Sequence, residues 1–168
     1  MPCVIYLHGN SSSRVEAMQA IGPLLTSNMT LVALDFAGCG MSEGEYISLG
    51  WYERDDVEVL VEHLRKSETV STIGLWGRSM GAVTSLMHAD RDPSIACLIL
   101  DSPFSSLRTL AEELCKKHTK VPSLILSAAL AIIRNTIKSK AKFDIDNLNP
   151  LENHVKKAFI PAYFVTGK

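Results

Sequence analysis

Five short apolar runs, each ending at a turn signal and separated by stretches with helical periodicity, constrain this chain more than any other feature. They fall at residues 4–7, 31–34, 72–76, 97–100 and 162–165. None shows the polar alternation of a strand with one wet face, so they suit parallel strands covered on both faces by helices. The fold class that follows is α/β, a mostly parallel β-sheet with helices on both faces. Between the second and third runs, Val57, Leu60, Val61 and Leu64 recur at helical spacing, with Glu53, Asp55, Asp56, Glu58 and Glu62 expected on the opposite, solvated face. From 102 to 160 the rhythm breaks. At least two helical patterns replace a strand there, one burying Leu107, Leu110, Ala111 and Leu114 and the next starting near Pro122, which predicts a helical insertion or cap.

Length and charge narrow the function classes. The 168 residues fit one domain, 1–168, and 46% hydrophobic with 21% charged residues is a folding composition. Seventeen basic against eighteen acidic residues leave a net charge of −1, so no positive field gathers nucleic acid. Cys3, Cys39, Cys97 and Cys115 are scattered without a Cys-x-x-Cys pair, which argues against a zinc site and, with no visible targeting segment, suggests a cytoplasmic protein. The apolar stretch 121–133 is shorter than the ~20 residues of a membrane-spanning helix. It reads as a buried or cap helix, with membrane-surface contact as the minor alternative. Oligomeric state is open.

The chemical signal is Gly77-Arg78-Ser79-Met80-Gly81, directly after the third apolar run and before a helical pattern at 82–88. A G-x-S-x-G sequence in that context turns a strand sharply into a helix and presents the serine hydroxyl at the sheet's carboxyl end, beside a helix N-terminus. Ser79 is therefore the candidate nucleophile. Acyl transfer also needs two N–H donors for the developing oxyanion. The backbone N–H groups of Met80 and of Asn10, in the turn His8-Gly9-Asn10 after the first run, are the candidates. Ser11 to Ser13 are expected to cap a helix at 14–21. The glycine-rich segment Asp35-Phe36-Ala37-Gly38-Cys39-Gly40-Met41-Ser42 lacks dinucleotide-fingerprint spacing, and Asp35 is expected to organise its loop.

In this order, the segments resemble the α/β-hydrolase superfamily over nearly the whole chain. His8-Gly9-Asn10 resembles its oxyanion loop after the third family strand, Asp35 to Ser42 its turn after the fourth, and Gly77 to Gly81 its nucleophile elbow after the fifth. Ile99-Leu100-Asp101-Ser102-Pro103-Phe104 is similar to the sixth strand's end in the serine-aminopeptidase-like (S33), Bem46-like and monoglyceride-lipase-like subgroup, and Ile160 to Gly167 to the seventh strand. The resemblance implies a partial α/β-hydrolase fold, third to seventh strands, incomplete at both ends. It also implies a serine hydrolase for an ester, amide or thioester, with a small-molecule, acyl or peptide substrate and no metal or organic cofactor.

The family's acid would follow Lys168 and its histidine would come later still. Asp101 is an alternative acid, although capping of the Ser102-Pro103 turn is the preferred role. His8, His63, His88, His118 and His154 are expected to be structural or superficial. The 168 residues alone are therefore expected to be inactive for want of a histidine base. The competing reading is a non-catalytic ligand- or partner-binding protein on the same fold.

Overall fold

The computed structural model describes residues 1–118 and 123–167. All five apolar runs are strands: β1 (Pro2–Leu7), β2 (Thr30–Ala33), β3 (Thr72–Arg78), β4 (Cys97–Asp101) and β5 (Ala162–Val165). They form one wholly parallel sheet in the order β2–β1–β3–β4–β5. Helices α1 (Met18–Thr26), α2 (Glu53–Lys66) and α3 (Met80–Arg91) make the crossovers that parallel strands require. Between β4 and β5 lie α4 (Leu107–His118), α5 (Ser123–Lys140) and the short α6 (Pro150–Asn153).

The period-two geometry of the strands divides the core. One face presents Ile5, Leu7, Ile73, Leu75, Leu98 and Leu100 to Val57 and Val61 of α2 and to Met80, Ala82, Leu86 and Ala89 of α3. Val57 and Val61, one helical turn apart, are 0% and 1% exposed, so each contributes roughly 1.5–3 kcal/mol by burial. The other face presents Val4 and Tyr6 to Ala20 and Leu24 of α1, with Trp76 against the cluster's edge. Coverage is thinner toward β5, every residue of which is exposed.

Several sequence expectations need correction. The helix expected at 14–21 is a 3-10 turn, Arg14–Ala17, followed by α1, and Ser13 at its N-cap makes no side-chain capping bond. Glu53 and Asp56 do not lie on a solvated face. Glu53 is 2% exposed and accepts hydrogen bonds from the Ser48 N–H (2.7 Å), Ser48 Oγ (2.5 Å) and Gly50 N–H (2.8 Å), which replace its lost hydration. Asp56 accepts from the Ala37 N–H at 2.9 Å. On α4 the expected buried face is only half-buried, and Leu114 is 50% exposed. Val121 and Pro122, in the segment considered for membrane contact, lie outside the described residues. Farther along α5, Ile125, Ile132 and Ile133 are exposed. No helix among the described residues is long and apolar enough to cross a membrane.

Two contacts set the carboxyl end of the sheet. The first turn of α3 lies so close to β1 that a Cβ on Gly81 would sit 1.9 Å from the Leu7 carbonyl oxygen, and one on Gly77 would sit 2.2 Å from the Gly81 carbonyl carbon. Only glycine permits this approach. The second contact is Asp35, which accepts hydrogen bonds from the Arg14 N–H (2.6 Å) and Met41 N–H (3.0 Å) and pairs with the Arg14 guanidinium. The Arg14 N–H foremost, aided by Met41 and the Arg14 charge, outweighs burial and holds the Asp35 carboxyl below its ordinary value. Asp35 thereby joins the loop after β2 to the start of the 3-10 turn.

Gly81→Ala should destabilise the fold by about 3 kcal/mol or more, because backbone rather than a flexible side chain must move. Gly167→Ala, exposed and with no other residue within 4 Å of the added Cβ, should instead change stability by no more than about 0.5 kcal/mol. Urea melts of the two variants check the contrast. Because Asp35 titrates below its unfolded value of 3.8, its contribution is present above that pH and is lost as pH falls through the folded pKa. Asp35→Asn should lose about 1.5–3 kcal/mol at neutral pH and show a flatter stability profile between pH 5 and pH 2 than the wild type, by denaturant melts across that range.

Candidate active site

Strand β3 ends at Arg78 and α3 begins at Met80, so Ser79 alone makes the reversal, at φ 50° and ψ −110°. A non-glycine residue held there stores about 1–3 kcal/mol and needs its surroundings to fix it. Its N–H donates to the Asp101 carbonyl on β4 at 2.7 Å, and its carbonyl accepts from the Val83 N–H at 3.1 Å. The half-buried side chain stands at the N-terminus of α3, where free N–H groups favour developing negative charge.

The turn after β1 lies against this elbow. A Cβ on Gly9 would be 3.8 Å from the Ser79 Cβ and 3.5 Å from the Arg78 carbonyl oxygen. The fully buried His8 orders the turn: its Nδ1 contacts the Gly9 carbonyl oxygen at 2.8 Å, while its Nε2 accepts from the Phe36 N–H at 3.2 Å. The second bond requires a lone pair on Nε2, so the ring's proton sits on Nδ1 and is donated to Gly9. The Gly9 carbonyl and the Asn10 N–H belong to one planar trans peptide, so fixing the carbonyl fixes the direction of that N–H. No acceptor among the described residues takes the Asn10 or Met80 N–H.

None of the described histidine contacts reaches Ser79. His8 is engaged as above, and His63 is exposed on α2. His154 pairs with Asp90 at 2.9 Å. His88, 2% exposed on α3, has no hydrogen-bond partner among the described residues for either ring nitrogen, and burial pushes its pKa down despite Asp92 at 3.7 Å. His118 closes α4, and its side chain is outside the described set. Asp101 is in register with Arg78; its carboxylate accepts from Ser102 Oγ at 2.8 Å and lies 3.8 Å from Arg78 Nε.

Glu16 carries no signal in the sequence beyond an acid in a polar turn, yet its carboxylate reaches both sides of the site. Oε2 accepts from the Gly9 N–H at 2.9 Å and Oε1 from the Arg78 guanidinium at 2.8 Å. Arg78 is thus spoken for by Glu16 and Asp101. At the carboxyl ends of β4 and β5 opens a mainly apolar cleft of about 200 Å³, lined by Leu86, Phe104, Leu151, Val155 and Phe164 among others. No cluster of three or more His, Cys, Asp or Glu among the described residues is placed to hold a metal ion.

The chain is similar to several known proteins. The chain is 27% identical over 168 residues to the uncharacterised protein YqkD of Bacillus subtilis, covering 98% of this chain and 54% of that one. It is 30% identical over 117 residues to the lysophosphatidylserine lipase ABHD12 of Danio rerio, covering 66% of this chain and 30% of the lipase. Among solved structures, the Pyrococcus furiosus esterase Pf2001 superposes with a TM-score of 0.71 at 27% identity, over 97% of this chain and 60% of the esterase. The chain thus spans about half the length of the full-coverage relative and under two thirds of the esterase. The family model for serine aminopeptidase, S33, matches residues 2–158, and on that match the chain belongs to the S33 family of the α/β-hydrolase superfamily.

Proposed function

We propose that the protein is a serine hydrolase that opens an ester, amide or thioester through an acyl-enzyme on Ser79. The observation that carries the reading is Ser79 itself, held at a positive φ between β3 and α3 with the His8-Gly9-Asn10 turn against it. In the reaction Ser79 Oγ bonds to the carbonyl carbon and its proton passes to a base. The bond to the leaving group breaks, and the departing alcohol, amine or thiol takes the proton back. Water then repeats the sequence and releases the acid. The N–H groups of Asn10 and Met80 receive the oxyanion in both halves, and a donor of this kind is worth about 10²–10³ in rate.

The likeness to the esterase Pf2001 and to the lysophosphatidylserine lipase ABHD12 supports a small-molecule or acyl substrate, and the apolar cleft beside β4 and β5 supports one with an apolar portion. The reading assigns the base to no described histidine: His8 is committed to Gly9 and Phe36, His154 to Asp90, and His88 is enclosed in α3. A histidine and an orienting carboxylate supplied from outside the described residues complete the machinery. By themselves the 168 residues should give at most the residual catalysis of an oxyanion hole without its base.

A fluorophosphonate probe offered to the intact gene product should attach to one residue, Ser79, and Ser79→Ala should abolish labelling while its melting temperature stays within a few degrees. Equal labelling of both proteins contradicts the assignment. An intact gene product that binds acyl ligands yet leaves Ser79 unlabelled is instead a binding protein built on the same fold.

A further inference from the structure

We infer that Glu16 is a positioning residue for the oxyanion hole, its carboxylate tying the turn that carries Asn10 to the elbow that carries Ser79. The inference rests on the serine-hydrolase reading of Ser79. Its ground is the double contact: Oε2 accepts from the N–H of Gly9, the neighbour of Asn10, and Oε1 accepts from the guanidinium of Arg78, the neighbour of Ser79. The carboxylate side chain is only 9% exposed, so water does not readily replace either donor.

The support behind Glu16 is firm. Its N–H donates to the Ser13 carbonyl at 3.0 Å, Ala17 next to it is 4% exposed, and Arg14 two residues earlier is anchored on Asp35. Burial works to raise the Glu16 carboxyl, but the Gly9 N–H, the Ser12 hydroxyl and Arg78 outweigh it and hold its pKa below the ordinary value. The tether therefore stays ionised at neutral pH. His8 and Glu16 divide the task of fixing the turn: His8 holds the carbonyl of Gly9, and Glu16 holds its N–H. With both peptide planes around Gly9 fixed, the Asn10 N–H keeps its place relative to the Met80 N–H. An oxyanion hole depends on that placement, because an error of about 1 Å costs on the order of 10²-fold in rate.

The test uses the intact gene product and two changes, the isosteric Glu16→Gln and the shorter, uncharged Arg78→Gln. A carboxamide offers one acceptor oxygen, so Glu16→Gln loses the contact to Gly9 or to Arg78 whichever way it is turned. With a p-nitrophenyl ester, kcat should fall about tenfold to a hundredfold while KM moves less than about threefold. The rate of fluorophosphonate attachment to Ser79 should fall in parallel. Because both residues act through one tether, the double variant should be little worse than Glu16→Gln alone, whereas independent structural effects would multiply. Should Glu16→Gln fail to fold, Arg78→Gln still reads the elbow side of the tether through the same split between kcat and KM. Folded Glu16→Gln with kcat within twofold of wild type, or losses that multiply fully, overturns the inference alone. A wild type that leaves Ser79 unlabelled overturns the serine-hydrolase reading and the inference with it.

Discussion

The contact between the first turn of α3 and the end of β1 is the constraint on which the rest of the structure depends. With the Gly81 backbone lying where a side chain would strike the Leu7 carbonyl, strand β3 has one residue in which to turn and become a helix. That residue is Ser79, and its positive φ is the result. The closeness follows from the sheet order, since β1 and β3 are direct neighbours and the first turn of α3, at the end of β3, lies against the end of β1 before the helix runs on to β4. The strain is local and is absorbed by the hydrogen bond from the Ser79 N–H to β4 and by the ten buried residues of α3 behind it. A serine hydroxyl thus leaves the chain at the sheet's carboxyl end because the packing leaves no gentler path.

Around that point, three loops are joined by side chains rather than by backbone ladders. His8 links the turn after β1 to the loop after β2, Asp35 links that loop to the 3-10 turn, and Glu16 links the 3-10 turn to both Gly9 and the elbow. Each is at least nine-tenths buried at its side chain and each uses more than one hydrogen bond. A closed ring of this kind over-determines a few backbone N–H positions, which is what electrostatic stabilisation of a short-lived oxyanion requires.

Much of this was legible in the sequence, for a physical reason. The strands were visible as unbroken apolar runs, the pattern that burial on both faces favours in the centre of a parallel sheet; all five were found with ends shifted by at most two residues, although β5 at the edge is exposed. The elbow was visible because two glycines must flank the serine. Glu53 and Asp56 were misjudged because helical periodicity counts charge as outward-facing, whereas these carboxylates turn inward to satisfy backbone donors in neighbouring loops. Leu114 shows the reverse, an apolar residue at a core spacing that stays half exposed. The role of Glu16 had no pattern to betray it, since its two partners come from segments 7 and 62 residues away in the chain.

Acyl transfer at Ser79 depends on where the reacting oxygen sits. A crystal structure of the phosphonylated intact gene product tests this directly. It should show phosphorus bonded to Ser79 Oγ, with the phosphoryl oxygen about 2.7–3.1 Å from the backbone nitrogens of both Asn10 and Met80. A phosphoryl oxygen turned to solvent, or held by other donors while those two N–H groups bind water, would contradict it.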